Sequence, residues 1–565
     1  MSKSKINEKA LETVLEHYQI SDDYQTKIFN NFIEYYKVYR GILDTSLPWK
    51  ANLFVPYVYQ VIETIMPRMI SQKPKIIIAP QEESDVLDAK QNEDLVNWQW
   101  DIMEMRGKLK NWVKDMLIYG VGVVKVFWEF EGADKDHPNV SPVNIYDFYI
   151  DPFSTNIEDA RWVIHKVEKN LADVKKNKLY SDTEDLQSGD KEDKYRSRKE
   201  GNLDRSMPRK DDSKKVELLE WYGKFSTTKN GKPEDYIIVV ANKTKVIRME
   251  KLEEVIPCGK PFVEMYDTNV PNEFWAIGEV EPLMSLQNEL NSTRNQRLDN
   301  RNLIINSMWL VDDNAGIDDN ELISRPGGTI HADDINGIKP LPVSDTTQDS
   351  VQEEATIKND MDRTSGVMPS LLGQIQAPEG TTTGNFNSTA RGYLSSAESS
   401  GTRMQYKLDN IEEAIKRLGE KLLCLNQKFI DRDTTIRVLG DTGFEFKKIP
   451  SKAVAKKYDF YVEAGSTQPI NNSVKRTEAE QLLNTVAPFG GSVFTETDEF
   501  GTPTQLKPNL KFYLDNLIDS FDLPNKEDAY ENIQPEPSPQ QALPAEQPQQ
   551  GAVEGQAPND FGLLQ

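Results

Sequence analysis

Two cysteines, four histidines, no long apolar run and no excess of positive charge: the scarcities of this 565-residue sequence exclude several kinds of protein. Cys258 and Cys424 lie far apart and have no metal-ligand spacing, which suits a reduced protein with two buried thiols and not a disulfide scaffold. His17, His137, His165 and His331 are too dispersed for a zinc site. The most apolar stretch, 117–128, is short and contains Lys125, so no membrane span is expected, and the polar N-terminal segment lacks a signal-peptide pattern. The expected site of synthesis is the cytoplasm.

Lys and Arg number 67 against 91 Asp and Glu, a net charge of −24. A free-standing DNA-binding protein usually has the opposite sign, because Lys and Arg make the phosphate contacts. An acidic chain can still meet DNA where the task is to let it slide without sticking.

Motifs of enzymes are missing too. A phosphate-cradling loop ends in Gly-Lys-Ser/Thr, but Gly107-Lys108, Gly231-Lys232 and Gly259-Lys260 are followed by Leu or Pro. A magnesium nuclease needs clustered carboxylates; the nearest imitation, Glu234-Asp235 followed by a strand to Lys243, has Ala241 where a carboxylate is required. The run DDNAGIDDNE, with Asp312 and Asp313, places Gly316 at the fifth position of a calcium-type loop rather than the sixth, and reads as a solvated acidic turn. No catalytic residue, metal ligand or cofactor is expected.

Apolar periodicity supplies the architecture. Ile28, Phe32, Tyr35 and Tyr39 recur at helical spacing, as do Val58, Ile62, Ile65 and Met69 after Pro56. Residues 76–80 read as a strand. A single long helix is expected over 84–119, with Leu87, Leu95, Trp98, Ile102 and Leu109 on it, and with Trp98, Trp100 and Trp112 in the core. Gly120 and Gly122 break it, and strand character follows through 123–130 and 140–167. Residues 173–215 hold almost no aliphatics and read as a mobile polar loop. Strands at 216–225 and 236–249 flank a turn, suggesting a hairpin.

A helix is expected from Glu281-Pro282 to about 303, with Arg294, Arg297 and Arg301 near one face. Those arginines could track phosphates; the plainer reading pairs them with acids on a neighbouring helix. Strands and turns occupy 304–345, helical pattern returns at 349–364, and a Gly/Thr-rich loop fills 373–387. Met404, Leu408, Ile411, Ile415, Leu418, Leu422, Leu425 and Phe429 then form a heptad seam. It could dimerise as a coiled coil, but its length and small-residue lead-in favour packing inside a domain. At about 1.5 Å per residue, a helix over 387–430 reaches roughly 65 Å, kinked if Gly392 and Gly401 bend it. Residues 535–558, rich in Pro and Gln, read as a disordered tail. The fold class is α+β.

Taken in order, these elements resemble the bacteriophage portal, or head-to-tail connector, family. YGVGVVKVFWE (119–129), PVNIYDFYIDP (142–152) and DARWVIHKV (159–167) look like a portal wing. SRPGGTIHADDINGIKPLP resembles the clip hairpin, and TSGVMPSLLGQ the return toward the tunnel loop. The resemblance implies a wing over 1–279, a first stem helix over 280–303 and a clip over 304–345. A second stem helix and return (346–372), a tunnel loop (373–387) and a long helix (388–430) would follow, then a C-terminal wing or crown region (431–530) and a tail (531–565).

It also implies site residues. Gln374, Gln376, Thr381, Thr382, Thr383 and Asn385 would face a DNA channel; Asp312, Asp313, Arg325, His331 and Asp333 would face a terminase or adaptor; Arg294, Arg297 and Arg301 would belong to the stem. The implied partners are eleven further copies in a twelve-membered ring, double-stranded DNA, a terminase, capsid and scaffolding proteins, and adaptor or tail proteins. The implied place is a capsid vertex of the virion, reached from the host cytoplasm. The competing readings are a scaffold or internal head protein and, less well supported, a metal-dependent nuclease.

Overall fold

The computed structural model describes residues 3–43, 50–70, 73–80, 85–130, 136–188, 215–228, 231–306, 308–313, 316–322, 329–331, 334–345, 347–367, 386–440, 443–456 and 458–462, with short pieces between 482 and 506; of the helix that begins at Phe386, side chains are described from Arg403 onward. The chain divides into two compact units, Met1–Pro469 and Ile470–Gln565.

The first unit opens with α1 (Lys3–Arg40) and α2 (Tyr57–Met69). Their apolar positions turn inward at the expected spacing: Phe32, Tyr35, Val58, Ile62, Ile65 and Met69 are all buried. Phe29 of α1 meets Tyr146, Tyr149 and Trp275 edge-on, which fixes the helix against the sheets by ring geometry as well as by area.

β1 (Ile76–Pro80) follows, then two helices where one was expected, α3 (Val86–Ile102) and α4 (Met105–Tyr119). The break is at Glu104, whose φ of +52° cannot continue a right-handed helix. The two halves thereby bury different faces. Trp100 and Trp112 enter the main core, Leu95 is buried in a separate small cluster with Trp98 packed on it, and Leu87 stays 78% exposed. α4 ends at Gly120, φ +86°, where an added Cβ would fall 1.9 Å from the Ala276 carbonyl oxygen, so only glycine fits.

β2 (Val121–Glu129) is central to a three-stranded antiparallel sheet between β3 (His137–Val143) and β9 (Phe262–Tyr266). A five-stranded antiparallel sheet runs in chain order through β4 (Phe148–Ile150), β5 (Trp162–Asn170), β6 (Lys215–Phe225), β7 (Glu234–Ala241) and β8 (Lys245–Lys251). The stretch 236–249 is therefore two strands. The chain reverses at Asn242 and Lys243, both with positive φ, a conformation that asparagine tolerates. Part of the expected polar loop is also ordered: α5 (Leu171–Lys176) buries Val174, and Leu186 is buried beyond it. Residues 189–214 lie outside the description.

After the short α6 (Leu252–Val255) come α7 (Val280–Ile305), β10 (Trp309–Val311), β11 (Ile338–Pro340) and α8 (Thr347–Ser365). Then α9 (Phe386–Phe429) runs as one helix of 44 residues, helical through Gly392 and Gly401. Leu408, Ile411, Ile415, Leu418, Leu422 and Leu425 are buried in the same core as the sheets, so the seam packs inside the subunit. Gly419, mid-helix, costs about 1 kcal/mol relative to Ala. Its reason is Phe460, whose ring would sit 2.1 Å from a Cβ there.

Phe460 belongs to β14 (Tyr458–Val462), which pairs antiparallel with β1. Between α9 and β14 lie the hairpin of β12 (Thr434–Gly440) and β13 (Gly443–Ile449) and the short α10 (Ser451–Val454). Ile436, Ile449 and Val454 close over Leu95 of α3. The part of 431–530 up to Val462 is thus built into the first unit. In the second unit, β15 (Phe494–Thr497) and β16 (Pro503–Leu506) form an antiparallel pair. Helices and wholly antiparallel sheets make the fold α+β. Among the described residues no helix is long and apolar enough to cross a membrane.

Candidate functional site

The arginines expected on one face of a stem-like helix define the most informative region, the pair α7 and α8 with the β10–β11 hairpin between them. The two helices run antiparallel: Asn300 donates to the Ser344 carbonyl at 2.9 Å near the hairpin, and Arg297 and Arg294, earlier in α7, meet Glu354, later in the chain on α8. Arg294 and Arg297 both converge on Glu354 of α8, Arg294 at 3.2 Å. Lys358 closes on the same carboxylate at 2.8 Å. Burial pushes the Glu354 carboxyl up, but Lys358 and Arg297 outweigh it and hold the group below its ordinary value. Two of the three arginines therefore pair within the chain. Arg301 is exposed, within electrostatic reach of Asp345, which caps α8 by accepting from the Thr347 backbone N–H at 2.9 Å.

A feature not anticipated from the arginines lies on another face of α7. Gln287, Asn291, Asn295 and Asp299, each one turn apart, bind the backbone of residues 51–58, the coil that leads into the first turn of α2. Gln287 accepts from Val58 N at 3.1 Å and donates to Val55 O at 2.7 Å. Asn291 accepts from Val55 N at 3.0 Å, Asn295 from Leu53 N at 2.7 Å, and Asp299 from Ala51 N at 2.6 Å. The helix thus offers its side chains as a substitute strand for a segment that has none. The signal was in the sequence, a carboxamide or carboxylate at every fourth position from Gln287 to Asp299.

The hairpin carries the opposite character. Both its strands are exposed along their length apart from the half-buried Ile338, with Leu310 55% and Trp309 39% accessible. Ile305, at 64%, and Met308, at 56%, extend this apolar surface onto the end of α7. The expected partner-facing residues are scattered around it. Asp312 donates its backbone N–H to the Gly337 carbonyl at 2.9 Å, and Asp313 is exposed beside it. His331 lies with Nδ1 2.9 Å from Glu321, whose carboxyl is held low first by the His331 backbone N–H at 2.6 Å. Arg325 and Asp333 lie outside the described residues, as do Gln374, Gln376, Thr381, Thr382, Thr383 and Asn385 of the Gly/Thr-rich loop.

The long helix is fastened to the sheets by acid–base contacts beside its apolar seam. Lys407 pairs with both Asp267 and Glu279, Arg417 with Glu264 at 2.5 Å, and Lys421 with Glu158 at 2.6 Å. Among the described residues no group of three or more His, Cys, Asp or Glu is placed to hold a metal ion.

An elongated helix pair ending in an uncovered apolar hairpin, on a mixed body braced by a long helix, now meets a comparison. The family model described as Phage SU10 portal protein matches residues 16–135 and 131–557. The chain belongs to the phage SU10 portal protein family. No curated protein matches it. Portal proteins are structural rather than catalytic, and the match extends through α9 and beyond β16, so it includes both units of the chain.

Proposed function

We propose that copies of this chain close head to tail into a ring, twelve to a ring, at one capsid vertex, and that double-stranded DNA is packaged and ejected through it. The observation that carries this reading is the exposed apolar hairpin at the end of the paired helices, on a chain of portal family. A cyclic assembly buries two different surfaces of each copy against two neighbours. The β10–β11 hairpin and the end of α7 supply apolar surface that is exposed among the described residues.

In this reading 1–279 form the wing, α7 and α8 are the stem helices, 304–345 the clip, 373–387 the tunnel loop and α9 the brace behind it. Arg294 and Arg297 of α7 are engaged by Glu354, so they position the stem rather than grip DNA. α8 exposes Asp349, Glu353 and Asp360, while its bases are Arg363 and the Lys358 already paired to Glu354. An acidic lining keeps phosphate from sticking, which suits a conduit through which a motor pushes DNA. ATP hydrolysis then belongs to a terminase docked at the clip through Asp312, Asp313, Arg325, His331 and Asp333, a surface later used by adaptor or tail proteins. Capsid and scaffolding proteins would meet the wing.

Deleting 373–387 tests the conduit. The expected result is a normal ring with impaired packaging or retention of DNA in a packaging assay. Loss of the ring, or packaging at the wild-type level, overturns the assignment of the loop.

A further inference from the structure

Far apart in sequence, the two cysteines are brought together by the fold. Cys258 sits in the turn between α6 and β9, and Cys424 lies on α9 one turn beyond Lys421. The Cys258 Sγ reaches the Lys421 carbonyl oxygen at 3.8 Å, one helical turn before Cys424, which brings the two thiols within interaction range. Lys421 holds the turn in place: its ammonium donates to the Cys258 carbonyl at 3.3 Å and the Lys260 carbonyl at 2.8 Å, besides its contact with Glu158. Both cysteines are half-buried and remain accessible to a small oxidant.

We propose that Cys258 and Cys424 form a dithiol that closes to an intrachain disulfide when the protein leaves a reducing compartment, clamping the last turns of α9 to the edge of the β9 sheet. The placement distinguishes the two sulfurs. The hydrogen bond from Cys258, helped by the charges of Lys421 and Lys428, holds the Cys424 thiol below its ordinary value. That same hydrogen bond, with burial, pushes Cys258 up. Cys424 is accordingly the attacking thiolate and Cys258 the resolving thiol.

With a peroxide as oxidant the step balances. The Cys424 thiolate attacks one peroxide oxygen, the O–O bond breaks, and hydroxide leaves to become water, giving a sulfenic acid. The Cys258 sulfur loses its proton, attacks the sulfenic sulfur and expels a second water. Two thiols have lost two electrons and two protons, and hydrogen peroxide has become two waters. The closed loop contains the whole of α7, the β10–β11 hairpin and α8, so the cross-link restricts the unfolded chain strongly.

The test uses the full chain, kept in reductant or treated with hydrogen peroxide, then alkylated, digested and mapped by mass spectrometry. The expected product is a peptide pair joining Cys258 to Cys424 within one chain, with a melting temperature several degrees above that of the reduced protein. In Cys258→Ser, Cys424 should proceed to the sulfinic acid, because the resolving thiol is gone. In Cys424→Ser, Cys258 should remain alkylatable. The proposal is overturned if wild-type Cys258 and Cys424 both stay alkylatable after peroxide, if they cross-link only between chains, or if Cys424 over-oxidises with Cys258 present. Mapping of the wild type decides the question even if a variant misfolds, and it does not depend on ring formation.

Discussion

The body of the first unit and the α7–hairpin–α8 limb are stabilised in different ways. In the body, sheets, α1, α4 and the seam of α9 share one continuous apolar core, with buried acids such as Asp267, Glu264 and Glu279 paired to bases of α9 beside it. In the limb, α7 and α8 bury few apolar residues, among them Leu283, Leu290, Ile357 and Met361, which join the body's core at the limb's base. Much of its order comes from the Gln287–Asp299 ladder and the Glu354 cluster, while large apolar side chains at its tip face outward. In the proposed ring the body would be complete as a subunit and the limb completed by neighbouring copies.

The largest effect should come from breaking the body. Leu418 is fully buried, so Leu418→Asp places an unpaired charge in the seam and should cost about 4 kcal/mol or more by chemical denaturation. Stability at the wild-type level would mean that the seam is not the core of the subunit.

A pH effect should also belong to the body. Burial, reinforced by Glu279 and opposed by Lys407, pushes the Asp267 carboxyl up to about 7. The folded chain therefore keeps a proton that the unfolded chain releases near pH 4. Between those values the native state binds more protons, so this group's contribution to stability is lost as pH rises toward 7 and is constant above it. Asp267→Asn should flatten that fall; unchanged denaturation midpoints at pH 5 and pH 8 relative to wild type would refute it.

The limb should respond less. Glu354→Ala strands Arg297, which is 7% exposed, beside Arg294, and should destabilise by about 3 kcal/mol. It should also lower protection of α8 in hydrogen exchange while leaving the β2 and β6 amides protected. Loss of protection in both regions together would show that limb and body are one cooperative block. The smallest effect on stability, within about 0.5 kcal/mol, is expected for Leu310→Glu, because that side chain is uncovered in the subunit. Its effect should instead be on assembly, read as loss of large particles in size-exclusion chromatography.

The same contrast explains what was legible in the sequence. Periodicity revealed α1, α2, the strands around Gly120 and the seam of α9, because each buries a face against the common core. It missed the break at Glu104 and the reversal at Asn242, where one residue's backbone conformation outweighs a continuous apolar pattern. It could not show β1 meeting β14, or Cys258 meeting Cys424, since those contacts depend on the tertiary path. On α7 the arginines drew attention as a phosphate track, yet two of them answer Glu354, and the amide ladder on another face orders segment 51–58. Of the other expected contact residues, Asp312, Asp313 and His331 lie on the limb near its hairpin; the rest fall outside the described residues.

The central claim is that the tip of the limb is covered by neighbouring copies in a closed ring. The most direct measurement is the mass and symmetry of the purified particle, by mass photometry with class averages of negatively stained particles. The account predicts closed rings with a central hole, near twelve times the 64.5 kDa subunit. A compact twofold dimer, or a population that stays monomeric at high concentration, would contradict it.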